Sequence, residues 1–225
     1  MCGRFVQTSS AQRLAATFSA TDVTDAPLGG RYNVAPSTPI PAIIAAPERR
    51  LGTLTWGFVP SWSKDPNAGP KPINARAEGA SSSRLFASAL RQRRCIVPID
   101  AWYEWTQEGT VRQPWLMQPV QRRPLAIAAL WSSWRPKDDV TGHSSINTVA
   151  LLTTEAHGDA ATVHHRMPLS VPEGLIDRWL DREQPADPSL LAEMAEEVVD
   201  IAVTRVSKDV NDVRNDHAGL LAPVR

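Results

Sequence analysis

The run Cys95-Ile96-Val97-Pro98-Ile99-Asp100-Ala101-Trp102-Tyr103-Glu104-Trp105, followed by strand-like segments at Gln113 to Met117, Leu125 to Trp134 and Ile146 to Thr154, decides the fold. Ile96 to Trp105 reads as one strand, and these segments are separated by turn signals at Glu108-Gly109 and Asp138 to Gly142. Strands spaced this closely favour an antiparallel sheet or barrel over a parallel one. Working outward, Ile40 to Ala46 and Leu51 to Val59 read as two paired strands joined by the charged turn Glu48-Arg49-Arg50, and Ile201 to Val206 as a last strand. Helices are predicted at Arg13 to Phe18 behind a Ser9 or Ser10 cap, at Arg84 to Arg94, at Pro172 to Leu180 behind Ser170, and at Pro188 to Val198. Four prolines between Pro60 and Pro72 rule out regular helix or central strand around Trp62, leaving a long loop. The fold class is α+β, an antiparallel barrel-like β core flanked by short helices.

Length and composition bound the function. At 225 residues, with no composition shift, low-complexity run or internal repeat, residues 1–225 are expected to form one domain. No apolar run approaches a membrane span, and the first residues lack a secretory pattern, so a cytoplasmic protein, nucleoid-associated when bound to DNA, is expected. Lysine plus arginine equals aspartate plus glutamate, 24 of each, so no global positive field draws the chain onto nucleic acid and any such contact must be local. The positive charge is arginine-heavy, with Arg4, Arg31, Arg76, Arg84 and Arg166 beside turn residues or aromatics, and arginine's planar fork suits bidentate phosphate contact. Two cysteines make no disulfide framework, and Cys95 in its apolar run reads as a buried core thiol. With no C-x-x-C, H-E-x-x-H or glycine-rich phosphate pattern, no metal or cofactor is expected.

Cys2 is the distinctive residue. Removal of Met1 would make it the amino terminus, with an amine of pKa about 8 and a thiol of pKa about 8.5 on adjacent carbons. Such a pair captures an aldehyde through the amine as a Schiff base and closes through sulfur into a thiazolidine, which an internal cysteine cannot do. Three further clusters carry acid, base or amide groups: Ile73 to Glu78, Trp102 to Trp105, and Val163 to Pro168. Glu104 lies among aromatics on a strand. Facing inward it would be desolvated into the range for proton transfer, whereas facing outward it is an ordinary surface glutamate. His164 is open to either an acid/base or a structural role, and Asn74 to a site role or a turn role.

Taken jointly, Met1-Cys2-Gly3-Arg4-Phe5, Arg31-Tyr32-Asn33-Val34-Ala35-Pro36, Trp56-Gly57, Ile73-Asn74-Ala75-Arg76-Ala77-Glu78, Ser83-Arg84, Trp102-Tyr103-Glu104-Trp105, His164-His165-Arg166-Met167-Pro168, Val206-Ser207 and Val213-Arg214-Asn215 resemble the SRAP family. These are SOS-response-associated peptidase-like proteins, which shield abasic sites in single-stranded DNA. The resemblance implies a covalent thiazolidine between Cys2 and the ring-opened abasic deoxyribose, with single-stranded DNA containing abasic sites as partner and a monomeric protein. It assigns Asn74 to holding the terminus and sugar, Glu104 to proton transfer, and His164 to sugar opening and Schiff-base formation. It makes Arg4, Arg76, Arg84 and Arg166 phosphate contacts and Trp62 a base-stacking aromatic. Ala101 stands where many relatives have glycine, and the Trp62 loop has one tryptophan where some have an adjacent pair. Two other readings compete: a thiol peptidase or amidase using Cys2 with Glu104 and His164, and a non-covalent single-stranded DNA module.

Overall fold

The computed structural model describes residues 2–45, 47–136, 145–184, 186 and 188–224. The chain runs through β1 (Phe5–Gln7), α1 (Ala11–Phe18), β2 (Thr21–Asp22), β3 (Arg31–Val34), β4 (Pro39–Ala45), β5 (Arg49–Trp56), β6 (Asn74–Arg76), α2 (Ala77–Ala80) and α3 (Ala87–Gln92). It continues through β7 (Arg94–Ile99), β8 (Ala101–Glu108), β9 (Val111–Pro119), β10 (Leu125–Trp134), β11 (Ile146–Glu155), β12 (Arg166–Pro168), α4 (Ile176–Leu180), α5 (Pro188–Glu196) and β13 (Ile201–Arg205). One sheet has the order β13-β9-β8-β1-β3. The other runs β12-β11-β10-β7-β4-β5-β2, and β11 also pairs with β5, so β5, β4, β7, β10 and β11 close into a five-stranded barrel. This is the mixed α and β fold with a barrel core that the spacing of the strands predicts.

The pairings are antiparallel apart from three short parallel ladders, two of which build the site's floor. Thr148 and Val149 of β11 pair with Thr55 and Trp56, closing the barrel, and Leu151 to Thr153 pair with Asn74 to Arg76 of β6. Local sequence carries no signal for these pairings, because the partners lie far apart in the chain.

The run from Ile96 to Trp105 is two strands, not one. At Asp100 the chain leaves the barrel and enters the other sheet, and the carboxylate fixes this corner by accepting from the Thr8 and Ser9 amides at 2.6 and 2.9 Å and the Ser9 hydroxyl at 2.6 Å. The helix expected from Arg84 to Arg94 is regular only over α3, and Arg94 is drawn into β7. Its buried guanidinium donates to the carbonyls of Leu90, Arg91, Trp179, Asp181 and Gln184, tying the ends of α3 and α4 together. Ser170 does not cap a helix but bridges to Ile127, and the following segment is a 3₁₀ turn before α4. Ser10 does cap α1, accepting from the Arg13 amide. The turn expected at Asp138 to Gly142 lies outside the described residues, as does Ala46.

Apolar side chains form three clusters. Barrel and short helices share one, around Leu14, Ile43, Leu90 and Trp179. The second lies between the barrel and the five-stranded sheet and holds Phe5, Trp56, Cys95, Trp102 and Cys2 itself. The third is the far face of that sheet, where Val6, Tyr103 and Leu116 are covered by Val206, Val210 and Leu220 of the C-terminal segment. Among the described residues no helix is long and apolar enough to cross a membrane.

Candidate functional site

The site grows from the seam between the two sheets. β1 lies between β3 and β8, with Phe5 opposite Trp102 and Arg4 O accepting from the Tyr103 amide at 3.0 Å. This brings the residues before Phe5 beneath β8. Side chains alternate along a strand, so Trp102 and Glu104 face the Cys2 cluster while Tyr103 and Trp105 face the C-terminal segment. The strand period therefore decides the orientation of Glu104: it points inward and is 2% exposed.

Burial pushes the Glu104 carboxyl up from 4.5 to about 7, against the opposing positive charges of the amino terminus and Arg112. A carboxyl at that value exchanges a proton readily near neutrality. Cys2 is fully buried, and desolvation, reinforced by the nearby Glu104 charge, raises its thiol above the ordinary range, while the positive charge of the amino terminus pulls the other way. The thiol is thus held protonated until a base takes its proton.

Asn74 opens β6, set beside Leu151 of the barrel. Its Nδ2 donates to the Cys2 carbonyl at 2.7 Å. Its Oδ1 is buried without a hydrogen-bond partner among the described residues, so it keeps acceptor capacity beside the terminus. His164 follows a 3₁₀ turn, its amide donating to Ala160 O at 3.2 Å. His164 Nδ1 lies 2.9 Å from the Arg166 amide and 3.1 Å from the Arg166 carbonyl; because the amide can only donate and makes the shorter contact, Nδ1 is assigned as acceptor, which puts the proton of the neutral ring on Nε2. Burial, then the positive amino terminus, lower its pKa and keep the ring neutral. Its ring stacks on His165 at 4.4 Å.

Cys2, Asn74, Glu104 and His164 are therefore gathered around the amino-terminal segment. The remaining sequence-derived residues are of two kinds. Arg76, Arg84 and Trp62 lie toward solvent, Trp62 exposed by 69% on a loop pinned where Trp134 Nε1 donates to Ser63 O at 2.7 Å. Arg4 and Arg166 are already engaged. Arg166 forks onto Glu78 at 2.7 and 2.9 Å and donates to Thr153 O at 2.6 Å. Arg4 Nη1 donates to Asn33 Oδ1 at 2.8 Å and Val210 O at 2.9 Å, with its guanidinium over the Trp105 ring.

Asn33 and Glu78 stand within motifs that local sequence gives no role, and nothing in the sequence marks Arg112, which lies over the same Trp105 ring at 5.3 Å. Their partners are distant in sequence, and only the placement of Glu78 two residues from Arg76 hinted at ion pairing. No group of three metal-ligating side chains occurs among the described residues. A groove of about 590 Å³ lined by Arg13, Phe18, Leu125 and Glu173 shares no residue with this constellation, and the chemistry, not the volume, marks the site.

A mixed α and β fold with a barrel core thus gathers a buried cysteine, a buried carboxyl of raised pKa and a histidine, the group types that nucleophilic and proton-transfer chemistry uses. The chain belongs to the SRAP family, SOS response associated peptidase, whose family model matches residues 1–213. It is 32% identical to Abasic site processing protein YoaM of Bacillus subtilis over 98% of this chain and 97% of that protein. It is 30% identical to YoqW of the same organism, over 98% and 99%, and 29% identical to YedK of Escherichia coli over the whole of both, each also named an abasic site processing protein. The fold matches the crystal structure of a protein from Bacteroides thetaiotaomicron with a TM-score of 0.83 at 18% identity, each chain fully covered.

Proposed function

We propose that this protein processes abasic sites in DNA and that, once Met1 is removed, Cys2 captures the ring-opened abasic deoxyribose in single-stranded DNA as a thiazolidine. The observation that carries the reading is the burial of Cys2 between Asn74, which holds its carbonyl, and Glu104, whose carboxyl titrates near neutrality. The names of the relatives support abasic sites as the substrate.

The abasic sugar is mainly a closed hemiacetal. Opening it needs a proton delivered to the ring oxygen and one removed from the C1′ hydroxyl. His164 polarises the ring oxygen through a hydrogen bond from Nε2–H while solvent delivers the proton, and ionised Glu104 accepts the hydroxyl proton; the proton Glu104 holds at the end of the sequence returns to solvent. The Cys2 amine then adds to the aldehyde carbon, and the carbinolamine loses one water to give the iminium, with protonated Glu104 supplying the proton that water carries away. The Cys2 sulfur adds to the iminium carbon, forming the C–S bond while its proton passes to Glu104. The net change is one C–N and one C–S bond formed and one water released. Because the thiol sits protonated, this last transfer needs the base beside it. Ring closure removes the iminium, the electron sink through which β-elimination would cut the strand.

Arg76 and Arg84 supply charge for backbone phosphates, and Trp62 an exposed ring for an unstacked base. Arg166, held by Glu78, and Arg4, held by Asn33, present oriented positive charge to the same strand. The protein acts as a monomer in the cytoplasm and associates with the nucleoid when bound to DNA. The family is described as a peptidase, and Cys2 with Glu104 is also the minimum for amide attack, a reaction that would leave no heat-stable adduct on DNA. Incubation of Met1-free protein with abasic single-stranded DNA and a denaturing gel tests the proposal. A covalent band with wild type and none with Cys2→Ala supports it; an equal heat-stable band with Cys2→Ala overturns it.

A further inference from the structure

Asn33 is 2% exposed and fully committed. Its Oδ1 accepts from Arg4 Nη1 at 2.8 Å, and its Nδ2 donates toward the carbonyls of Val210, Asp212 and Asn215 at 3.2, 3.1 and 2.8 Å. Its own amide and that of Tyr32 donate to Asp216 Oδ1, the former at 3.1 Å. The same C-terminal segment accepts the Trp105 indole N–H on Asn211 Oδ1 at 2.7 Å and Arg4 Nη1 on Val210 O. Arg4 is tied beside the site through its backbone, its carbonyl accepting from the Tyr103 amide at 3.0 Å one residue from Glu104, while Cys2 two positions earlier gives its carbonyl to Asn74 Nδ2 at 2.7 Å. A continuous path thus runs from the C-terminal segment through one buried amide to the residue two positions from the nucleophile.

We propose that Asn33 is a positioning residue that, by holding the Arg4 side chain against the C-terminal segment, fixes the backbone from Cys2 to Arg4 beside β8 and so aims the thiol at the iminium carbon. The inference rests on the Cys2 reading above. The two ends of Asn33 do separable jobs: Oδ1 serves Arg4 and the site, whereas Nδ2 gathers three carbonyls and serves stability. Asn33→Asp keeps an acceptor for Arg4 but loses the Nδ2 donor and sets a carboxylate against three carbonyl oxygens. Asn33→Ala loses both.

The test is single-turnover crosslinking of Met1-free protein to abasic single-stranded DNA, read as the rate at saturating DNA and the DNA concentration at half-saturation, beside urea unfolding of each variant. Misaiming a reacting atom by a fraction of an ångström commonly slows reaction by about tenfold or more. Asn33→Ala is expected to lower the rate at saturating DNA by about that factor, separately from any weakening of half-saturation that a released Arg4 brings, while Asn33→Asp keeps most of the saturating rate although it unfolds at lower urea. Arg4→Met supplies the second arm: added to Arg4→Met, Asn33→Ala slows the saturating rate no further. A purely structural role predicts that rate per folded molecule is unchanged in Asn33→Ala, or that Asp is as slow as Ala, and either result overturns the inference. So does additive slowing in the double variant. Absence of any adduct with wild type would instead overturn the Cys2 reading, so the two failures are distinguishable.

Discussion

Replacing Glu104 by Gln tests the buried carboxyl without using DNA at all. In the folded protein its pKa is raised from 4.5 to about 7 by burial. A raised carboxyl favours the protonated fold, so its contribution to stability is fully present below about pH 4.5 and is lost as pH rises through about 7. At 1.36 kcal/mol per pH unit the loss amounts to about 3 kcal/mol. The glutamine side chain has similar shape and no charge to desolvate, so the Glu104→Gln variant escapes that loss. The difference in unfolding free energy, Glu104→Gln minus wild type, is therefore expected to climb by about 3 kcal/mol between about pH 4.5 and about pH 8. Urea unfolding of both proteins at several pH values measures it, and other titrating groups cancel in the difference. Parallel pH dependences would refute the reasoning, because they would place an ordinary, solvated carboxylate at position 104. In crosslinking, the same variant keeps its hydrogen-bonding reach but loses proton transfer, so its saturating rate should fall by about a hundredfold or more and its rise through pH 7 should flatten.

The remaining predictions concern the histidine, the phosphate contacts and the fold. His164→Ala is expected to slow crosslinking at saturating DNA by about a hundredfold with little change in non-covalent affinity, and equal rates for variant and wild type in single-turnover assays would remove it from the mechanism. Arg76→Ala should weaken binding to intact single-stranded DNA and lower the slope of log affinity against log salt by about one contact, whereas an unchanged slope in a fluorescence titration would show that this exposed guanidinium meets no phosphate. Asp100→Ala removes the acceptor for two amides and two hydroxyls at the corner where the chain changes sheets, and should cost about 1–3 kcal/mol in urea unfolding without altering the crosslinking rate per folded molecule.

Strand content and the barrel-like core were readable because the sequences of β10 and β11 are long and apolar with turn-forming residues between them, and because Pro60 to Pro72 admits no regular element. The break at Asp100 was not readable, since its cause is a carboxylate bonding to Thr8 and Ser9 far upstream. Nor was the closure of the barrel through β5 and β11, whose parallel pairing rests on tertiary contacts alone. The site was legible as chemistry from Cys2, Asn74, Glu104 and His164, and their meeting is what the structure adds. Sequence left Glu104 open between an inward and an outward direction, and strand alternation behind the fully buried Trp102 turns it inward. Arg4 and Arg166 look on paper like free cations. Their commitment to Asn33 and to Glu78 depends on partners 29 and 88 positions away.

The central claim is that one residue, joined through two bonds, makes the adduct. Crosslinking Met1-free protein to an abasic oligonucleotide, digesting protein and DNA, and sequencing the linked peptide by mass spectrometry measures this most directly. The expected peptide begins at Cys2 and carries the deoxyribose remnant less one water, with neither a free amine nor a free thiol on Cys2. A remnant on any other residue, or on Cys2 with its thiol still open to alkylation, would contradict the claim.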